Sequence, residues 1–66
     1  MESRRELIKQ HVRICHPGDN FIMTFYGLEE FRSLLFEFRT KIEVIQVLSE
    51  SPGGAIHYHV IFRRRV

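Results

Sequence analysis

The fold is decided by residues 55–66, AIHYHVIFRRRV, in which the character of the side chains alternates. In a β-strand, successive side chains point to opposite faces of the sheet. One face of this strand is then apolar and carries Ile56, Tyr58, Val60 and Phe62. The other face carries His57, His59, Ile61, Arg63 and Arg65. We therefore predict a strand with one face in the core and one face that binds a partner.

The composition predicts one small domain over residues 1–66. The chain is 44% hydrophobic and has a formal net charge of +2. A domain of this size buries only about 60% of the surface of its unfolded chain, which leaves little room for a catalytic cleft. We therefore expect no enzymatic activity and no cofactor. Eight of the ten basic residues are arginines, whose guanidinium group suits phosphate and carboxylate partners, so an anionic partner is favoured.

Targeting and redox features favour a cytoplasmic protein. Cys15 is the single cysteine, so no internal disulfide forms. The amino-terminal sequence MESRRE is charged, and no apolar run exceeds three residues. These features predict neither a secretory signal nor a membrane span.

Local signals divide the rest of the chain into four segments. Ser3 and Glu6 have the spacing of a capping box, and Pro17-Gly18 fits a type II turn, so the first helix is predicted over residues 4–15. Alternation then predicts a strand over residues 20–26, and helical spacing predicts a helix over residues 28–40. A second strand over residues 41–48 and a turn at residues 51–54 lead into the last strand.

The order α-β-α-β-β predicts an α+β fold with a three-stranded mixed sheet, similar to a split β-α-β unit. We expect the third strand to lie between the first two, because its apolar face is long. The second helix should cover that face. The first helix, a second copy of the chain or a ligand should cover the reverse face, which is too apolar to be simply solvated. The sequence leaves these three alternatives open.

Two functions are consistent with these features. The first is a non-catalytic protein that binds nucleic acid or another polyanion through the basic and aromatic reverse face of the sheet and the carboxy-terminal arginines. Its predicted contact residues are Tyr26, His57, His59, Arg63, Arg64 and Arg65. The alternative is a homo-oligomeric protein-interaction or regulatory module without nucleic-acid binding, with Phe36 and Ile61 as contact residues. With either function, we also expect the chain to associate with itself as a dimer.

The histidine pair of the last strand also has the chemistry of metal ligands. His57 and His59 share a strand face, and His11 and Cys15 lie one helical turn apart, so the four could hold zinc if they met. Their spacing matches no common zinc pattern, and we expect no metal. The string IHYHVI, residues 56–61, resembles the His-hydrophobic-His motif of HUH endonucleases, in which two histidines hold a divalent cation. That family also uses a tyrosine on a later helix, and no tyrosine follows His59.

Overall fold

The computed structural model describes residues 3–66, and the order of its elements is the predicted α-β-α-β-β. Met1 and Glu2, which belong to the predicted domain, lie outside the described residues. The elements are α1 (Arg4–Ile14), β1 (Asn20–Phe25), α2 (Leu28–Glu37), β2 (Ile42–Glu50), a short 3₁₀ turn (Pro52–Gly54) and β3 (His57–Arg64). Within residues 3–66, neither helix has the length and apolar content needed to cross a membrane.

The ends of α1 follow the local signals in the sequence. The backbone N–H of Glu6 donates a hydrogen bond to the Ser3 hydroxyl at 3.2 Å, as a helix N-cap requires. After the helix, the N–H of Asp19 donates to the carbonyl of His16 at 3.0 Å. Gly18 has a φ of +92°, the left-handed conformation that the third position of a type II turn needs. The predicted turn is therefore confirmed.

The sheet has the order β1-β3-β2, so the predicted insertion of β3 is confirmed. Both neighbouring pairs are antiparallel. The prediction of a mixed sheet was wrong, because a mixed sheet needs one parallel pair of neighbours. Strands β1 and β2 do run in the same direction, but β3 separates them, and the sheet is entirely antiparallel. A bulge between Val44 and Gln46 leaves Ile45 without a partner on β3.

The core lies between the sheet and the two helices. Four buried aromatic rings form its centre, and they belong to Phe21, Phe25, Phe31 and Phe62. The ring centroids of Phe31 and Phe25 are 5.5 Å apart, and those of Phe21 and Phe62 are 5.3 Å apart. The remaining buried residues are Ile8, Met23, Leu34, Ile42 and Val60. The apolar face of β3 is thus the core face, although Ile56, which precedes the strand, is exposed.

Both helices pack on this same face, which rules out one of the three alternatives for the reverse face. Ile8 of α1 is fully buried in the core, and the His11 ring stacks on Phe21 at 4.4 Å. Ion pairs join α1 to α2, with Arg5 Nε 2.6 Å from a carboxylate oxygen of Glu37. The ten residues of α2 form a helix only about 15 Å long. It leaves part of the core face to α1, so the first helix does not cover the reverse face.

Candidate interaction surface

The reverse face of the sheet, which we call the open face, consists of four rows of cross-strand neighbours. The register places Ile61 between Ile22 of β1 and Gln46 of β2, and His59 between Thr24 and Leu48. Two further rows close the ends of the face and contain Asn20, Arg63 and Glu43 at one end and Tyr26, His57 and Glu50 at the other. Cross-strand neighbours share a face of a sheet. The open face is therefore continuous across all three strands.

Large apolar groups on the open face are exposed. The exposed fraction is 64% for Ile22, 63% for Tyr26 and 51% for Leu48, while Ile61 between the strands is half-buried. Burying an aliphatic side chain of this kind is favourable by about 1.5–3 kcal/mol. Within residues 3–66, no helix packs over Ile22 or Leu48. A partner that covers them would gain much of this free energy.

A hydrogen-bonded chain crosses the open face through His59. Its Nδ1 lies 2.9 Å from the Thr24 hydroxyl, and its Nε2 lies 2.9 Å from a carboxylate oxygen of Glu50. A hydroxyl, an imidazole and a carboxylate in this order can activate a nucleophile. The three groups belong to β1, β3 and β2, and Glu50 is exposed to solvent. We infer that these two hydrogen bonds help to fix the register of the three strands.

Tyr26 is held at the corner of the open face by contacts on two sides. Its ring is nearly perpendicular to the His57 ring, with 4.8 Å between the centroids. The Arg4 guanidinium lies over the Tyr26 ring at 4.8 Å, and its Nε donates to the Thr24 carbonyl at 2.7 Å. The structure thus brings together Tyr26 and His57, two of the predicted contact residues, and adds Arg4, which the sequence did not suggest.

The three arginines at the end of the chain, Arg63 and Arg64 of β3 and Arg65 after it, are all bound within the chain. Arg63 forms an ion pair with Glu43, its neighbour on β2. Arg64 points to the core side, where its Nε donates to the Val12 carbonyl at 2.7 Å. Arg65 Nε donates to the carbonyls of Arg39 at 2.8 Å and Ile42 at 3.2 Å. Any phosphate that binds these groups must compete with partners that are already in place.

The charge of the open face differs from the basic surface that β3 alone suggests. Strand β2 contributes Glu43 and Glu50 beside Arg63, and Glu43 also forms an ion pair with Arg65 at 3.2 Å. Sequence reasoning missed both glutamates, because their position opposite β3 depends on the register and on the bulge after Val44. Phe36, the other predicted contact residue, is 67% exposed but lies on α2, away from Ile61. It packs against the Arg39 guanidinium at 4.2 Å.

The four residues considered for zinc are not brought together. His11 and Cys15 lie on the core side, where His11 stacks on Phe21, whereas His57 and His59 lie on the open face. In the part of the chain that the structure describes, no group of three or more histidine, cysteine, aspartate or glutamate side chains could hold a metal ion.

Comparison with protein-family models, curated proteins and solved structures found no match. The function must therefore be argued from the open face and the charges around it.

Proposed function

We propose that this chain is a small non-catalytic interaction module that binds protein through its open face, and that a second copy of the chain is its first partner. The observation that carries the proposal is the exposure of Ile22, Tyr26 and Leu48 on one uncovered face. Charged groups on that face already have partners within the chain, so covering them leaves fewer unpaired charges than covering a basic patch would.

The size of the protein supports self-association. A standard interface buries about 800 Å² on each partner, which is about one sixth of the 4657 Å² that the described residues expose. Two antiparallel sheets can stack face to face about 10 Å apart with interdigitating side chains. The open face offers an apolar centre around Ile22 and Ile61, and its two ends are polar. Such a pairing would add the second apolar layer that a 66-residue chain lacks.

The test introduces a carboxylate at the centre of the open face. Ile22→Glu and Ile61→Glu should convert a dimer into a monomer, because each buries an unpaired charge in the interface. Sedimentation velocity at tens of micromolar would measure the change. Ile14→Glu is the matched control, since Ile14 is 70% exposed on α1 and lies outside the open face. A parent protein that stays monomeric, or an Ile22→Glu variant that dimerises like the parent, would contradict the proposal.

Single-stranded nucleic acid is the second candidate partner, and the pairing of Tyr26 with His57 favours it. Proteins that bind single strands stack bases on aromatic rings at the surface of a sheet. The chain also has a pI of about 9.1. Under this candidate, Tyr26→Ala should weaken binding of an oligonucleotide with little change in the salt dependence, because stacking involves no counterion release. No binding by the parent protein at low salt would exclude this candidate.

A further inference from the structure

A groove on the helical layer is lined by basic side chains that make few contacts within the fold. It lies between the C-terminal half of α1 and the turn after α2, and its volume is about 400 Å³. Its floor is formed by Val12 and Phe38, which are half-buried against the core. Its lining residues, which define the basic groove, are Lys9, Val12, Arg13, Glu37, Phe38, Thr40 and Lys41. The basic groove is on the side of the sheet opposite the open face.

The charge of the basic groove is unbalanced. Three of its residues are cations and one is an anion, a net +2 that equals the formal net charge of the whole chain. The anion, Glu37, is already bound by Arg5. Among residues 3–66, the side chains of Arg13 and Lys41 have no hydrogen-bonding or ion-pair partner, and Lys9 has only an exposed contact with Glu6 at 3.8 Å. The groove therefore offers free positive charge beside an apolar floor.

We infer that the basic groove binds an acidic amphipathic peptide segment of a partner protein. A bulky apolar side chain of the segment would pack on Val12 and Phe38, and its carboxylates would pair with Arg13 and Lys41. This site is separate from the open face and does not depend on self-association.

The geometry of the groove favours a peptide over other anions. Five of its seven lining residues are exposed, so it is too shallow to bury most of a small molecule. A nucleic-acid backbone would bring phosphates close to Glu37, and the half-buried Phe38 ring offers little surface for base stacking. A peptide can place carboxylates at separate points and an apolar side chain between them. Its charges are complementary to those of the groove.

The probe is the peptide Asp-Glu-Leu-Phe-Asp-Glu-amide with fluorescein coupled to its amino terminus, and fluorescence anisotropy measures its binding to the full chain. We expect binding that weakens with salt, and a peptide with Asn and Gln in place of the acids should not bind. The double variant Arg13→Gln with Lys41→Gln should raise Kd about tenfold or more, because two charge contacts are lost. Arg32→Gln is the matched control, since Arg32 is an exposed cation of α2 outside the groove. In NMR spectra, adding the peptide should change the backbone amide chemical shifts of Val12 and Lys41 and leave that of His59 unchanged.

The outcomes distinguish peptide binding from two other roles of the groove cations, which are stabilisation of a helix end and binding of a nucleic acid. Cations near the end of a helix also interact favourably with its dipole. If that is their only role, the double variant will lower the melting temperature and the parent will not bind the peptide, which overturns the inference. Binding of a single-stranded oligonucleotide in the groove, without binding of the peptide, overturns it in favour of a polyanion. Loss of dimerisation in the open-face variants has no bearing on either result.

Discussion

The arginines at the end of β3 and the cations of the basic groove carry the same charge, but the arginines have partners within the chain and two of the groove cations have none in the described part of the chain. Arg63, Arg64 and Arg65 are adjacent in the sequence, yet each donates to a carbonyl or a carboxylate of the chain itself. Arg13 and Lys41 are far apart in the sequence, yet they line one groove. Their side chains have no partner among residues 3–66. A run of basic residues therefore says less about anion binding than the carbonyls and carboxylates that surround each cation.

The largest expected difference in stability is between substitutions of Arg64, which is bonded within the chain, and of Arg13, which is not bonded to any described residue. Arg64→Met keeps the aliphatic stem but removes the guanidinium from the Val12 carbonyl, one of the last carbonyls of α1, which no helical N–H can reach. We expect the free energy of unfolding to fall by about 1–2 kcal/mol. Arg13→Met should change it by less than about 0.5 kcal/mol. Urea unfolding of both variants measures the difference, and equal losses would remove the contrast between the two groups of cations.

A smaller effect is expected for Arg65. Its Nε donates to the carbonyls of Arg39 and Ile42, so it holds the turn that leads from α2 into β2. Arg65→Met should lower the free energy of unfolding by about 1 kcal/mol, the typical net contribution of a hydrogen bond. It should also speed amide hydrogen exchange in the turn over residues 38–41. Unchanged exchange there would show that Arg65 does not hold this turn.

The smallest effect is expected for the pair of Arg63 and Glu43. Both side chains are in contact with solvent, and water and salt weaken such pairs. A double-mutant cycle with Arg63→Gln and Glu43→Gln should give a coupling energy of about 0.5 kcal/mol that shrinks as salt is added. A coupling as large as the effect of Arg64→Met would place Arg63 among the structural arginines.

The parts of the fold that could be predicted are those coded locally. The cap at Ser3, the turn at Gly18 and the alternation of β3 each depend on a few neighbouring residues, and all three are present in the structure. The end of α2 was predicted three residues late. Helical spacing continues through Phe38, but the N–H of Ile42 donates to the Phe38 carbonyl as the chain turns to enter β2.

The parts that could not be predicted depend on which elements meet. The position of α1 on the core face is fixed by the burial of Ile8 and by ion pairs with α2. The partners of His59 come from β1 and β2, 35 and 9 residues away in the sequence. The alternation of β3 correctly assigned its residues to faces, but the charge of the open face also depends on Glu43 and Glu50. These two carboxylates reach it through the register of another strand.

The central position of β3 has a consequence for the order in which the molecule is made. Among residues 3–66, β1 and β2 have no hydrogen bonds to each other, and each is paired only with β3. During synthesis, the sheet cannot begin to form until the ribosome has added residues 57–64. Until then, Phe21, Met23 and Phe25 have no strand to pair with, and such apolar segments are prone to aggregate. A nascent chain of this protein is therefore most exposed to misfolding, and to binding by chaperones, just before its third strand emerges.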